Sequence, residues 1–105
     1  MIVHKMTEWA DYLISAVRYD VDRKIVKVIQ HDDKDGLVGE GVEVDRVTVA
    51  SNMEKGKKYM TVYSGPKNTW QMGKTINAFK ADGKYCIRID KNKVASDNLG
   101  DLVEF

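Results

Sequence analysis

The apolar positions of this chain fall mostly in short, alternating or β-branched runs, and these predict a sheet. Tyr12-Leu-Ile-Ser-Ala-Val-Arg-Tyr19 reads as one strand and Lys24-Ile-Val-Lys-Val-Ile-Gln30 as a second. The four residues between them, Asp20-Val-Asp-Arg23, suit a tight connection, so the two strands should form an antiparallel hairpin. A loop then opens at His31-Asp-Asp-Lys-Asp-Gly36 and runs through Gly39 and Gly41. From Asp45 to Lys55 two patterns compete. Val47, Ala50 and Met53 recur at helical spacing, with Asp45 placed to cap the start and Gly56 to follow the end. Against this, Val47, Thr48 and Val49 are consecutive β-branched residues, and Val42-Glu-Val44 alternates. The paired end signals favour a short helix.

Lys57 to Ser64 alternates Tyr59, Thr61 and Tyr63 with Met60 and Val62 and reads as a third strand, closed by a turn at Gly65-Pro66-Lys-Asn68. The last hairpin has the clearest local signature. Asp82-Gly83 suits a two-residue type I′ turn, because both central residues must tolerate positive φ. That turn pairs Ala81 with Lys84, sets Lys80 opposite Tyr85, and brings Ala78 to Ile87 and Ile76 to Ile89. A register chosen by the turn therefore matches apolar with apolar. Leu99, Leu102 and Phe105 should dock the tail onto the sheet. The expected fold is α+β, an antiparallel sheet of about five strands with one short helix between strands two and three. Residues 1–10 form a weakly patterned lead to a single domain over 11–105.

Composition limits the function classes more than it selects one. The chain has 105 residues, 43% hydrophobic and 31% charged, which suits one globular domain rather than a disordered tail. Cys86 is alone, so neither an internal disulfide nor a CxxC metal or redox motif is available. No apolar run is long enough for a signal peptide or a membrane span, and a cytoplasmic location with no membrane partner is expected. No cofactor is implied.

The net charge of +1 conceals an asymmetry. Residues 1–52 sum to −3 and residues 53–105 to +4. A basic strip with interleaved aromatics stacks bases and tracks phosphates on some sheets. Lys57, Lys58, Tyr59, Tyr63, Lys74, Lys84 and Arg88 are the residues that would do so here. Lysines on outward strand positions equally blunt sheet edges, and Gly56 to Tyr63 lacks the spacing of an RRM signature.

His31-x-Asp33-x-Asp35-Gly36 is the nearest approach to a metal loop, and His31, Asp33 and Asp35 are the candidate ligands. A histidine is a poor first ligand for Ca²⁺, however, and Val42 stands where a bidentate glutamate would close such a loop. An acidic turn facing solvent explains the spacing better. The glycines at 36, 39 and 41 lack the Lys-Ser/Thr of a phosphate loop and sit beside Glu40 and Glu43. For nucleophilic catalysis the histidines are His4 and His31, and no nucleophile adjoins either in sequence. A small enzyme would need a pocket joining an acid such as Asp32 or Asp97 to an apolar wall. Trp9 and Trp70 are large aromatics outside the strong strand patterns, and an exposed Trp70 would anchor a partner.

The opening Asp11-Tyr-Leu-Ile-Ser-Ala-Val-Arg-Tyr19 and the ending Ser96-Asp-Asn-Leu-Gly-Asp-Leu-Val-Glu-Phe105 resemble a family of small bacterial domains of unknown function. That family often shows a helix-then-glycine segment like Val47 to Gly56 and a hairpin reading like Gly83 to Arg88. It usually has proline where this chain has Val103. The resemblance implies a small α+β fold in a bacterial or phage setting and no particular activity. The expectation is a non-catalytic interaction module that binds a protein partner or a second copy of itself. Nucleic acid is the alternative partner, and a small enzyme or divalent-metal protein comes third.

Overall fold

The computed structural model describes residues 10–34, 37–65, 69–81, 83–90 and 97–105. Its elements run β1 (Tyr12–Tyr19), β2 (Ile25–Lys34), β3 (Leu37–Val38), β4 (Val42–Asp45), α1 (Arg46–Glu54), β5 (Tyr59–Ser64), β6 (Trp70–Ala81), β7 (Lys84–Arg88) and β8 (Val103–Glu104). The sheet order is β3-β2-β1-β5-β6-β7, with β4 also on β2 and β8 also on β1.

One helix and a strand-rich sheet agree with the α+β expectation, but the sheet is larger than the five antiparallel strands the sequence suggests. Eight strands belong to it among the described residues, and β1 pairs parallel with both β5 and β8. The sheet is also mixed rather than purely antiparallel, while the helix lies where expected, over Arg46–Glu54, with β3 and β4 added before it. Both corrections share a cause. The chain does not leave the sheet at His31, because β2 continues to Lys34 and both β3 and β4 pair back onto it. The chain then returns through α1 beside β1 and in the same direction, which is the arrangement a crossover produces.

Local signals fixed the hairpins and the helix ends well. β1 pairs antiparallel with β2, and β6 with β7 in the register the turn demands, from Ala81↔Lys84 to Ala78↔Ile87. The ladder stops at Asn77↔Arg88, so Ile76 pairs with Tyr59 of β5 and not with Ile89. Gly83 has φ +78, while Asp82 lies outside the described residues. In α1 the Asp45 carboxylate accepts from the Thr48 N–H at 2.8 Å. Gly56, at φ +90, donates to Met53 O at 3.0 Å and Lys57 donates to Asn52 O at 3.0 Å. That pair of bonds is a Schellman motif, which only a residue tolerating left-handed backbone completes without strain.

The face of α1 differs from the expected one. Val47 is 75% exposed, and Val49 is the residue that enters the core, with Met53 four positions on packed against it. Adjacent residues of a strand point to opposite faces, and here each face has its own cluster. On the helix side Ile14, Val17, Ile25, Val28, Val49, Tyr59, Ile76, Ile87, Leu99 and Leu102 form the main core. On the far side Ala10, Leu13 and Val62 form a smaller one, with Val38, Met60 and Trp70 packed against it. Leu13 beside Ile14 and Met60 beside Tyr59 show the alternation directly. Leu99 and Leu102 dock as expected, whereas Phe105 stays 36% exposed under the guanidinium of Arg18, 4.8 Å from its ring. Of the lead, Ala10 is buried and residues 1–9 lie outside the described residues.

Candidate functional site on the far face of the sheet

Extending β2 past Gln30 places His31 and Asp33 on one face, and the pairing Leu13↔His31 makes it the far face. Alternation from Leu13 brings Ser15 to the same side. A β-bulge falls there, since Ile14 pairs with Gln30 and Ala16 already with Ile29. Bulges release one residue from the ladder and re-aim its side chain. Ser15 Oγ lies 2.7 Å from His31 Nε2. On the other side of the ring, Nδ1 lies 2.8 Å from the carbonyl oxygen of Gly39. A carbonyl only accepts, so Nδ1 carries the proton. In the neutral ring Nε2 is then the acceptor, and the Ser15 hydroxyl donates to it.

The glycines explain how this ring is held. Gly39 N donates to Asp32 O at 2.9 Å, folding the chain back over β2. A Cβ on Gly41 would lie 2.7 Å from Ile29 Cγ2 and 3.0 Å from His31 Cε1, so its backbone rests directly on the imidazole. Trp70 packs against the Leu13–Val62 cluster, and its ring reaches His31 edge-on at a centroid distance of 5.1 Å. His31 is consequently 6% exposed, while Ser15 is half-buried.

The other predicted residues are distributed differently. Asp33 is buried, and its carboxylate accepts from Ala10 N–H at 3.1 Å. Asp35 lies outside the described residues, and among those described no three metal-binding side chains gather as a ligand set. Tyr59 is buried in the main core, where it donates to Gln30 Oε1 at 2.5 Å and accepts from Asn52 Nδ2 at 3.0 Å. Burial pushes its hydroxyl up to about 12, against the opposing pull of the Asn52 hydrogen bond. Its ring is therefore not presented to a base. Arg88 is 7% exposed and forms a two-pronged pair with Asp90 at 2.7 and 3.0 Å. Tyr63 is half-buried against the main core. Lys57, Lys58 and Lys74 are exposed, and the Lys84 side chain lies outside the description. The structure thus does not assemble these seven residues into one exposed basic and aromatic face.

Asp97 is buried and fully committed to structure. It accepts from the N–H groups of Ile25 and Ile87, each at 2.9 Å, and from Arg46 at 2.8 and 3.1 Å. Arg46 also donates to Tyr85 O. One carboxylate therefore fastens β2, β7 and the start of α1 together. Asp32, the other acid considered, is exposed. Trp9 and His4 lie outside the described residues.

Ser15 was missed by sequence reading, because a hairpin closed on Asp20-Val-Asp-Arg23 sets His31 opposite Tyr12, on the other face. The register shifts at Ile14/Ala16 and Arg18/Tyr19 bring His31 opposite Leu13 and so diagonal to Ser15, and they are visible only in the structure. The glycines at 39 and 41 then have a role in seating a ring. Among the described residues no helix is long and apolar enough to cross a membrane. A scan against protein-family models and searches of curated proteins and solved structures find no match to this chain.

Proposed function

We propose that this protein is an interaction module whose far sheet face and adjoining β6 edge receive a second copy of the same chain. The carrying observation is the unfinished cover of that face. Met72, directly opposite Val62 in the ladder, is 54% exposed, and Trp70 beside it on the same face is half-buried. A neighbouring pair of large apolar side chains in contact with water suits an interface better than a free surface.

Two further observations support a second copy. β7 pairs only with residues 77–81 of β6, so no described strand covers the outer side of residues 70–75. Antiparallel pairing of that edge with itself about a two-fold axis between Met72 and Gly73 sets Trp70 against Thr75 and Gln71 against Lys74. The two Lys74 residues avoid each other in that register. The net charge of +1 also leaves little repulsion between copies. Sedimentation over a broad concentration range tests the reading. Dimer is expected for the natural chain and monomer for Met72→Asp, and a natural chain that remains monomeric throughout would refute it.

A further inference from the structure

The proposed self-association leaves the buried histidine and its serine unexplained, and their geometry is that of an activated nucleophile. A nucleophilic hydroxyl needs a base within hydrogen-bond reach, and the base needs a third group to fix its tautomer. Ser15 Oγ to His31 Nε2 at 2.7 Å supplies the first, and His31 Nδ1 to Gly39 O at 2.8 Å the second. The ring is locked from two further sides, by the Gly41 backbone and by the edge of Trp70. It is 6% exposed, whereas the serine is half-buried and stands at a bulge, where a strand ladder gives way most readily to an incoming group.

We infer that Ser15 is an acyl-accepting nucleophile with His31 as its general base, acting on small activated carboxylic esters. Ser15 Oγ forms a bond to the ester carbonyl carbon while its proton passes to His31 Nε2. The imidazolium keeps its Nδ1–H on the Gly39 carbonyl. It then returns the Nε2 proton to the departing alkoxide as the ester C–O bond breaks. The products are acyl-Ser15 and a free alcohol, with His31 neutral again. The indole of Trp70, against the imidazole, offers an apolar wall to the acyl group. Ser15 and Trp70 lie on the face proposed to receive the second copy, so the step is expected of the monomer and is tested at concentrations where the chain is monomeric.

The test is acetylation by p-nitrophenyl acetate, read as nitrophenol release and as added mass, with the modified residue located by peptide mass spectrometry. Acetylation centred on Ser15 is expected, and Ser15→Ala should abolish that adduct while retaining the circular dichroism of the natural chain. His31→Gln should slow Ser15 acetylation at least ~100-fold, the low end of what a positioned general base contributes. Should His31→Gln fail to fold, the natural chain still decides the matter. Its Ser15 must be acetylated faster than any other serine or threonine of the chain. Labelling confined to lysines, a folded His31→Gln chain reacting at the natural rate, or a natural chain whose Ser15 is labelled no faster than its other hydroxyls would each overturn the inference.

Discussion

The two faces of the sheet handle polar groups in opposite ways. Toward α1, ten buried apolar residues exclude water, and each polar group among them acts as a fastener. The Asp97 carboxylate joins three elements, and the Tyr59 hydroxyl links Gln30 of β2 to Asn52 of α1. Toward the far face, three buried apolar residues among those described lie against Trp70 and Met60, with Ser15, His31 and Asp33 beside them. A thick cover leaves a polar group only the choice of being saturated, because an unpaired group in a dry interior is costly. A thin cover permits a hydroxyl that is both hydrogen-bonded and within reach of solvent. The depth of the cover, more than residue type, separates structural polar groups from chemically available ones.

Substitutions on each face sharpen this contrast. The largest loss is expected at Asp97→Ala, which strands the guanidinium of Arg46 and two strand N–H groups, at about 3–5 kcal/mol by urea denaturation. A loss below about 1 kcal/mol would show that the main core is less sealed than described. Next, Leu99→Ala in the main core should cost about 3 kcal/mol or more, and Leu13→Ala on the far face less, although both side chains are fully buried. The thinner layer collapses more easily around a deletion, so equal losses would erase the distinction between the faces.

Alkaline pH gives the main core a signature through Tyr59. The Tyr59 hydroxyl is raised to about 12 in the folded chain, so it stays neutral there while an unfolded tyrosine ionises near 10. Its contribution is complete below pH ~10 and is lost as pH rises toward ~12, amounting to about 3 kcal/mol. Tyr59→Phe should remove that part of the slope in a pH series of denaturation curves. The smallest stability effect belongs to Met72→Ala, within about 0.5 kcal/mol because the side chain is half in water already. The same substitution should nevertheless weaken dimerisation in sedimentation. Separation of the two readouts would mark this face as one kept for association.

Legibility in the sequence followed the range of the interactions. The Asp82-Gly83 turn implied the register of β6 and β7, because a two-residue loop leaves the strands no other alignment. Asp45 and Gly56 marked the ends of α1 through hydrogen bonds that span a few residues. The face of α1 was not legible. Val47, Ala50 and Met53 have good spacing, yet the bonds of β4 to β2 orient the helix so that Val49 points inward. Strand count failed for the same reason, since β3, β4 and β8 are two to four residues long and exist only where a longer strand offers partners.

By itself the sequence determined the α+β class, two hairpins and the ends of the helix, all consequences of alternation, turn chemistry and capping within short stretches of chain. Only the tertiary structure decided the parallel pairing of β1 with β5, which requires the helix to carry the chain back across the sheet. It alone turned Tyr59 and Arg88 inward, because burial depends on what packs above a strand. It alone brought Ser15, His31, Gly39 and Trp70 together. Those four residues lie on β1, on β2, in the loop after β3 and on β6, and the sheet gathers them through backbone hydrogen bonds that carry no mark of side-chain identity.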